Sequence, residues 1–341
     1  MRVLVAMSGG VDSSVAAALL RDAGHDVTGV TMKLWGGESD SGCCSVSDVE
    51  DARRVAAQLD IPHYVFNFAS EFDDQIVDPY VAAYAAGETP NPCIECNRSM
   101  KWGRLLDRAR TMAFDAVATG HHARIVRAAD GTAELWRGTD PAKDQAYVLA
   151  VLEQAQLAMT MLPVGEMTKA DVRAHAARLG LRTATKAESM DVCFITRGGR
   201  RAFLDARVPP VAGRVLDTDG VELGTHDGVR AFTVGQRRGL AVATGERRYV
   251  VDVDAPSATV TVGRVEDLAR DRVALRTVSF TGAPLAAGTE ITAQVRAHGA
   301  PAAAVWRGDA VEWVTPQPRV APGQTVALFA AGRVLGAGIA T

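Results

Sequence analysis

The stretch VLVAMSGGVDSS, residues 3–14, decides the fold. Residues 3–7 form a short apolar run typical of a buried strand in a parallel sheet, and residues 13–20 have a helical pattern. The two glycines between them let the backbone turn tightly, and the serines add hydroxyl donors. The exposed N–H groups at the start of the helix favour an anionic phosphate group. The sequence therefore predicts a phosphate-binding loop at the carboxyl end of the first strand.

Strand and helix patterns alternate through the first half of the chain. Strands are predicted at residues 27–34, 64–66 and 116–119, and helices at residues 47–59, 71–86, 99–112 and from residue 168 to about residue 180. Capping boxes at Ser47-x-x-Glu50 and Thr168-x-x-Asp171 start two of these helices, and two prolines predict a loop at residues 89–92. We expect an α/β fold with a doubly wound parallel sheet of the Rossmann-like type.

The second half has the pattern of two β-rich domains. Strands are predicted at residues 211–216, 231–234, 249–253 and 259–262, and then at residues 273–277, 292–295, 310–314 and 324–331. Short strands at such close spacing are typical of small barrels or sandwiches. We predict three domains, residues 1–200, 201–270 and 271–341, the last of them a β-barrel.

Composition indicates an ordinary globular protein. The chain has 341 residues, 48% of them hydrophobic and 23% charged, which excludes wholesale disorder. No apolar run approaches the roughly 18 residues needed to span a bilayer, and the first residues lack a signal-peptide pattern, so we expect a cytoplasmic protein without membrane contact. Five cysteines are too few for a disulfide scaffold.

The charge is unevenly distributed around a net value of −3. Residues 36–78 carry a net charge of −8, whereas residues 98–127 carry +5 and residues 195–250 carry +4. The two basic stretches predict either a nucleic-acid-binding face or solvated helix surfaces.

Two cysteine motifs can carry chemistry. The motif NPCIECN spans residues 91–97, and a helix is predicted just after it. Cys96 is therefore a candidate nucleophile, because the start of this helix and nearby basic side chains would stabilise its thiolate. Cys93 and Cys96 can equally ligate a metal or form a redox pair. Cys193, in SMDVCF, is either a core residue or the second thiol of a sulfur relay. Cys43 and Cys44 receive no role.

The loop at residues 8–14 resembles the PP-loop, S-G-G-x-D-S, of ATP pyrophosphatases, which split ATP into AMP and pyrophosphate. A Mg²⁺ ion carried by the ATP would explain Asp12 beside a phosphate. With further motifs, the chain resembles the tRNA-specific 2-thiouridylase family over nearly its whole length. These motifs are TPNP at 89–92 with Cys96, ATGH at 118–121, KDQ at 143–145, CFI at 193–195, FTVGQRRGL at 232–240 and PGQ at 322–324.

The resemblance implies an enzyme that replaces O2 of the wobble uridine of tRNA with sulfur. ATP would adenylate the C2 oxygen, a persulfide on Cys193 would deliver sulfur, and Cys96 would act as the nucleophile, leaving a Cys96–Cys193 disulfide. A cysteine desulfurase or sulfur-relay protein would supply the persulfide.

The resemblance also implies binding residues. For ATP these are Ala6, Met7, Ser8, Gly9, Gly10, Val11, Asp12, Ser13, Met32 and Gly120. For the flipped uridine they are Asn91, Pro92 and Cys93. For the rest of the tRNA they are His121, Lys143, Asp144, Gln145, Arg296, Ala297 and Gln324.

Two departures from the family pattern leave alternatives open. Many members carry Asp, with an acid/base role, where this chain has Cys93, and an aromatic residue commonly follows the position of Arg296. The thiols of Cys93, Cys96 and Cys193 could instead bind an iron–sulfur cluster for thiolation of the same substrate. More remote alternatives are a PP-loop synthetase that adenylates a small molecule and a non-catalytic ATP-binding redox sensor.

Overall fold

A five-stranded parallel sheet carries the glycine-rich loop. The computed structural model describes residues 1–35, 45–187, 192–195, 199–240, 242 and 245–341. The strands of the sheet are β1 (Arg2–Ala6), β2 (Asp26–Lys33), β3 (His63–Asn67), β4 (Ala116–Ala118) and β7 (Thr160–Met161). Every neighbouring pair of these strands is parallel, and their spatial order is β3-β2-β1-β4-β7.

Alternate residues of β1 face two different apolar cores. Leu4 belongs to one core and Val3 and Val5 belong to the other, and all three side chains are fully buried. Because side chains alternate across a strand, a strand covered on both faces must be apolar throughout. Helices pack on both faces of the sheet, so the predicted doubly wound α/β fold is confirmed.

The helices of this half are α1 (Val11–Asp22), α2 (Val46–Gln58), α3 (Ala69–Phe72), α4 (Asp78–Ala85), α5 (Pro92–Glu95), α6 (Leu105–Thr111), α7 (Ala146–Leu149), α8 (Gln154–Leu157) and α9 (Lys169–Arg178). The predicted capping box of α9 is confirmed, since Thr168 and Asp171 exchange hydrogen bonds. The predicted cap of α2 was wrong. Ser45, not Ser47, accepts the hydrogen bond from Asp48 N, because the helix begins at Val46, two residues before the first helical position that a cap at Ser47 would give.

The helix that carries the C-x-x-C motif begins at Pro92, so the prediction that a loop includes Pro92 and that the helix starts after Asn97 was wrong. Proline is favoured at the first helical position, and the Asn91 side chain caps the helix by accepting from Cys93 N at 3.1 Å. A π-helical segment, Cys96–Arg104, joins α5 to α6. Cys96 therefore lies one turn inside the helix rather than at its start.

The middle of the chain contains a helix, α10 (Gly199–Asp205), and a four-stranded sheet. Its strands are β8 (Gly213–Asp217), β9 (Glu222–His226), β10 (Tyr249–Asp254) and β11 (Thr259–Gly263). The predicted strand at residues 231–234 was wrong. Ala231 ends a 3₁₀ turn and residues 232–234 form no strand, yet Phe232 and Val234 are buried, so an apolar loop produced the strand-like pattern.

A closed six-stranded antiparallel barrel ends the chain, as predicted. Its strands are β12 (Ala269–Phe280), β13 (Glu290–Gln294), β14 (Ala302–Trp306), β15 (Ala310–Pro318), β16 (Thr325–Ala330) and β17 (Arg333–Ala340), and the pairing of β12 with β17 closes it. A hairpin from the first half, β5 (Ala123–Arg127) and β6 (Ala133–Arg137), extends the same sheet through a pairing of Trp136 with Arg333.

Polar contacts attach the barrel to the first half of the chain. Arg137 donates to Asp144 and to Gln294, each at 2.6 Å, and its guanidinium lies 3.9 Å from the centre of the Phe329 ring. Arg276 forms a two-pronged ion pair with Glu88 at 2.7 and 2.8 Å. These contacts fix the loop before α5 against the barrel.

Among the described residues, no helix has both the length and the apolar character needed to cross a membrane.

Replacing Thr168 with alanine removes the cap of α9, and we expect the free energy of unfolding to fall by about 1 kcal/mol. Urea unfolding followed by tryptophan fluorescence measures the change. Thr168→Ser keeps the hydroxyl and should retain most of the stability. An equal loss in both variants would contradict the capping role.

Candidate active site

A cavity of about 330 Å³ opens at the carboxyl ends of the central strands of the parallel sheet. Parallel sheets bind ligands at this edge, where the chain connections diverge. Segments far apart in the sequence meet here. Its wall includes thirteen of the predicted site residues: Ala6, Met7, Ser8, Asp12, Ser13, Met32, Pro92, Cys93, Cys96, Gly120, His121, Gln145 and Cys193.

The glycine-rich loop is held in shape by its own serines. Ser8 N donates to Ser13 Oγ at 3.2 Å, and the Ser13 hydroxyl donates to the Gly10 carbonyl at 3.2 Å. Gly9 has a φ of +70°, and a Cβ there would lie 2.3 Å from the carbonyl oxygen of Asp48. The loop therefore needs glycine at this point both for its conformation and for its contact with α2.

Gly120, which follows β4, allows a second close approach. A Cβ at this position would lie 2.5 Å from Ser13 N and 2.6 Å from the carbonyl carbon of Asp12. Any side chain would push the start of α1 away from the sheet. Gly120 thus keeps the phosphate-binding loop at the edge of the sheet, beside the cavity that Met32 and Cys193 also line.

The three thiols on the cavity wall differ in exposure. Cys93 is exposed, Cys96 is buried and Cys193 is intermediate. Phe194 anchors the last of these, because its ring is 1% exposed and packs against Tyr80 and Phe203 at centroid distances of 5.2 and 5.3 Å. Residues 189–191 of the predicted motif, and Cys43 and Cys44, lie outside the described residues.

Asp12 forms an ionic cluster at the start of α1. Lys169 Nζ lies 2.8 and 2.7 Å from its two carboxylate oxygens, and His122 Nε2 lies 3.1 Å from Oδ1. Burial alone would raise the pKa of Asp12, but the hydrogen bonds from His122 and Lys169 outweigh it and hold the pKa below its ordinary value. The carboxylate is therefore ionised at neutral pH.

A second cavity of about 220 Å³ adjoins the first and shares Ser8, Asp12 and Gln145 with it. Three lysines line this space: Lys143, Lys169 and Lys186. Lys186 Nζ donates to Asp48 and Asp51 at 2.7 Å and to the Gly9 carbonyl at 3.0 Å. Burial would lower the pKa of Lys186, but these carboxylates raise it, so the ammonium group stays charged.

Sequence reasoning missed Lys169 and Lys186 as site residues. Composition held a usable signal, because the chain contains only five lysines among 37 basic residues. Three of them line the second cavity, and Lys101 lines the first. Four of the five lysines thus line one of the two cavities, whereas arginine supplies nearly all the other basic side chains.

His121 lies inside the site. Its Nδ1 is 2.7 Å from Thr119 Oγ1, and its ring packs 5.5 Å from the ring of Trp102. Burial, followed by the positive charges of Lys101 and His122, holds the pKa of His121 well below its ordinary value. The imidazole is therefore neutral at pH 7.

Other residues predicted to bind tRNA hold the junction with the barrel. Asp144 accepts from Arg137, and Gln324 donates to the carbonyl of Thr89 in the loop before α5. The Gln294 amide donates to the carbonyls of Arg296 and Ala297, at 2.8 and 3.0 Å. Asn91 caps α5, while Lys143 lines the second cavity. The Arg296 side chain is exposed beside this junction.

Two inorganic groups, Mg²⁺ and an iron–sulfur cluster, are predicted at the site. Asp12 is a single carboxylate beside the loop, a donor set that suits Mg²⁺ bound mainly by phosphates. The described residues, which include all three thiols, contain no group of three His, Cys, Asp or Glu side chains placed to hold a metal ion.

Family models match almost the entire chain. A tRNA methyl transferase HUP domain matches residues 1–197, a tRNA methyl transferase PRC-barrel domain matches residues 201–264, and an aminomethyltransferase β-barrel domain matches residues 270–340. The solved U34-tRNA thiolase NcsA from Methanococcus maripaludis, with its 4Fe-4S cluster, is 17% identical with a TM-score of 0.39, covering 60% of this chain and 65% of that one. At this level the likeness supports no inference.

Curated relatives match over the full length. The tRNA-specific 2-thiouridylase MnmA of Chloroflexus aggregans is 47% identical, covering 98% of this chain and 97% of the relative. That of Mycobacterium sp. (strain JLS) is 49% identical, covering 96% and 94%. With the PP-loop and the cysteines gathered in one cavity, these matches show that the chain belongs to the tRNA-specific 2-thiouridylase family.

Proposed function

We propose that this chain is a tRNA-uridine 2-sulfurtransferase that converts the wobble uridine of tRNA to 2-thiouridine and ATP to AMP and pyrophosphate. One observation carries the proposal: the phosphate-binding loop and the thiols of Cys93, Cys96 and Cys193 line a single cavity. The family-model descriptions name methyl transfer, but thiols beside an ATP-binding loop suit sulfur transfer better.

ATP activates the base in this proposal. The C2 oxygen of uracil is a very poor leaving group, so it attacks the α-phosphorus of ATP and pyrophosphate departs. Ser8, Ser13 and the start of α1 hold the phosphates, while Met32 and Gly120 flank the nucleotide. Bound ATP also carries a Mg²⁺ ion, which neutralises phosphate charge near Asp12.

Sulfur then replaces the activated oxygen. The terminal sulfur of a Cys193 persulfide attacks C2, and AMP leaves with the former uracil oxygen. The Cys96 thiolate attacks the Cys193 sulfur, which forms a Cys96–Cys193 disulfide and releases 2-thiouridine. A dithiol reductant restores the two thiols. A cysteine desulfurase or sulfur-relay protein reloads Cys193.

The tRNA must place an unstacked uridine in the cavity. We propose that Asn91, Pro92 and Cys93 surround this base. The basic stretches at residues 98–127 and 195–250 and the barrel would hold the rest of the tRNA, whose backbone dominates affinity. Three domains, residues 1–200, 201–270 and 271–341, would share this work in the cytoplasm, where tRNA and the sulfur donor meet.

Pyrophosphate release tests the reaction class. We expect release from ATP only when tRNA containing an unmodified wobble uridine is present, because that uridine is the group adenylated. tRNA with cytidine at the wobble position is the matched control. Release that depends on a small acid or amine would support a synthetase instead, and ATP binding without release would support a redox sensor.

Cys193→Ser should abolish thiolation, because serine cannot carry a persulfide. Mass spectrometry of nucleosides measures 2-thiouridine, and equilibrium binding checks that ATP and tRNA still bind with nearly unchanged affinity. Cys93→Asp, which installs the residue many family members carry, should keep thiolation. Normal 2-thiouridine in Cys193→Ser would remove this residue from the mechanism.

Gly120→Ala should weaken ATP binding by about tenfold or more, since the new methyl group displaces the start of α1. Equilibrium titration with ATP measures the effect. Gly282→Ala is the matched control, because a Cβ there has no neighbour within 4 Å in the described structure. Unchanged ATP affinity in Gly120→Ala would show that ATP does not depend on this close approach.

A further inference from the structure

Cys96 begins the π-helical segment, Cys96–Arg104, that joins α5 to α6. In a π-helix each backbone N–H donates to the carbonyl five residues earlier, and Leu105 N donates to the Met100 carbonyl in this way. Such turns are rare and are often found at functional sites. A π-helical segment of nine residues beside a candidate nucleophile therefore calls for a physical reason.

The π-helical hydrogen bonds change which side chains share a face. In an α-helix, two residues five positions apart are directed roughly 140° from each other around the axis. When the hydrogen bonds run to the fifth residue instead, a residue lies about one turn above the one five positions earlier. Lys101 therefore follows Cys96 on the same face, and both side chains line the cavity that holds the thiols.

Buried contacts hold the segment in this form. The Trp102 side chain is 1% exposed, and its Nε1 donates to Thr160 Oγ1 at 2.7 Å. Asn97 is also buried, and its Nδ2 donates to the Val148 carbonyl at 2.8 Å. The Asn97 Oδ1 accepts from Lys101 Nζ at 2.9 Å. A neutral amide thus fixes the ammonium group without offsetting its charge.

Lys101 is the cationic side chain on the described wall of the thiol cavity. The other titratable groups on that wall, apart from Cys96, are Asp12, Cys93, His121 and Cys193. The Asp12 carboxylate is hydrogen-bonded to Lys169. Burial, followed by the charge of Lys101, lowers the pKa of His121, so this ring is neutral and the field of Lys101 reaches it.

Titratable groups on the segment and on the helices packed against it are directed elsewhere. Glu95 lies 3.7 Å from Arg98, and both border a separate cavity beside the barrel. Tyr147 donates to a backbone carbonyl of β16. Four further groups are exposed to solvent: Arg104, Asp107, Arg108 and Arg110. Among the described residues, Lys101 is thus the cation that shares a face with Cys96.

The position of Cys96 makes such a cation necessary for thiolate chemistry. Cys96 lies one turn inside the helix, and the effect of a helix start falls off within the first turn. Its burial disfavours the charged form of the thiol. A thiolate is nevertheless the form that attacks another sulfur atom. An ammonium group on the same face supplies the stabilisation that the helix start does not.

We propose, on the basis of the proposed thiolation function, that Lys101 is a positioning residue that holds Cys96 as a thiolate for attack on Cys193, and that the π-helical segment serves to bring the two side chains onto one face. The thiol proton passes to solvent beforehand. The Cys96 sulfur forms a bond to Cys193 Sγ as the bond between Cys193 and the transferred sulfur breaks. The electron pair stays on the transferred sulfur, and the 2-thiouracil ring takes up a proton.

The pH dependence of Cys96 alkylation tests this role in the full-length protein without ATP or tRNA. Iodoacetamide reacts with the thiolate, and tandem mass spectrometry of the peptide distinguishes Cys96 from Cys93. In the unmodified protein, the pH of half-maximal rate should lie below the ordinary thiol value of about 8.5. In Lys101→Gln this midpoint should rise by about one pH unit or more, so the alkylation rate at pH 7 should fall about tenfold.

Matched variants separate the charge of Lys101 from its structural contact. Lys101→Gln keeps a hydrogen-bond donor for Asn97 but loses the charge, whereas Lys101→Arg keeps the charge and should hold the midpoint within about 0.5 pH unit. Arg98→Gln removes a neighbouring charge that lies beside Glu95, and the midpoint should stay within about 0.3 pH unit. Altered access to the cavity would change the maximal rate and not the midpoint.

The proposal is overturned if Lys101→Gln has the midpoint of the unmodified protein, or if Arg98→Gln raises the midpoint equally. Should Lys101→Gln fail to fold, the unmodified protein decides, because a Cys96 midpoint at or above about 8.5 overturns the proposal as well. Formation of 2-thiouridine is measured separately. Its absence would remove the proposed function, whereas normal thiolation with an unchanged midpoint in Lys101→Gln would remove only the role of Lys101.

Discussion

The close approach of the glycine-rich loop to its neighbours is the constraint on which the site depends. A side chain at Gly9 would collide with the backbone of Asp48, and one at Gly120 would collide with the first turn of α1. These two contacts bring the carboxyl end of β4 and the start of α2 against one short loop. The thiols and the lysines can then meet around a single nucleotide, although they come from distant segments.

Much of this arrangement could be predicted from the sequence, because its causes are local. The apolar run ending in two glycines predicted β1, the loop and α1, and alternating patterns predicted the doubly wound sheet. The elements that were predicted wrongly are those where the local sequence favours two structures about equally. Ser45 and Ser47 are both capable caps, proline at residue 92 can end a loop or begin a helix, and the buried loop around Phe232 has the apolar pattern of a strand.

Residues that act through tertiary contacts could not be predicted in the same way. Nothing near Lys169 in the sequence indicates that its ammonium group reaches Asp12, since the two are brought together only by the packing of α9 beside α1. The same holds for Asp144 and Gln324. Their motifs resemble family motifs, yet Asp144 accepts from Arg137 at the end of β6, and Gln324 donates to the carbonyl of Thr89 in the loop before the helix that carries the C-x-x-C motif. These contacts couple barrel position to cavity shape.

The pairing of Trp136 with Arg333 has a consequence for how the chain matures. β6 lies in the first half of the sequence, but the strand it extends, β17, is synthesised much later, since Trp136 and Arg333 are 197 residues apart. Until then the edge of the early hairpin has no neighbour and is open to wrong pairing. The first half of the chain therefore depends on a strand from much later in the sequence to cover the edge of its hairpin, which links the folding of the two halves.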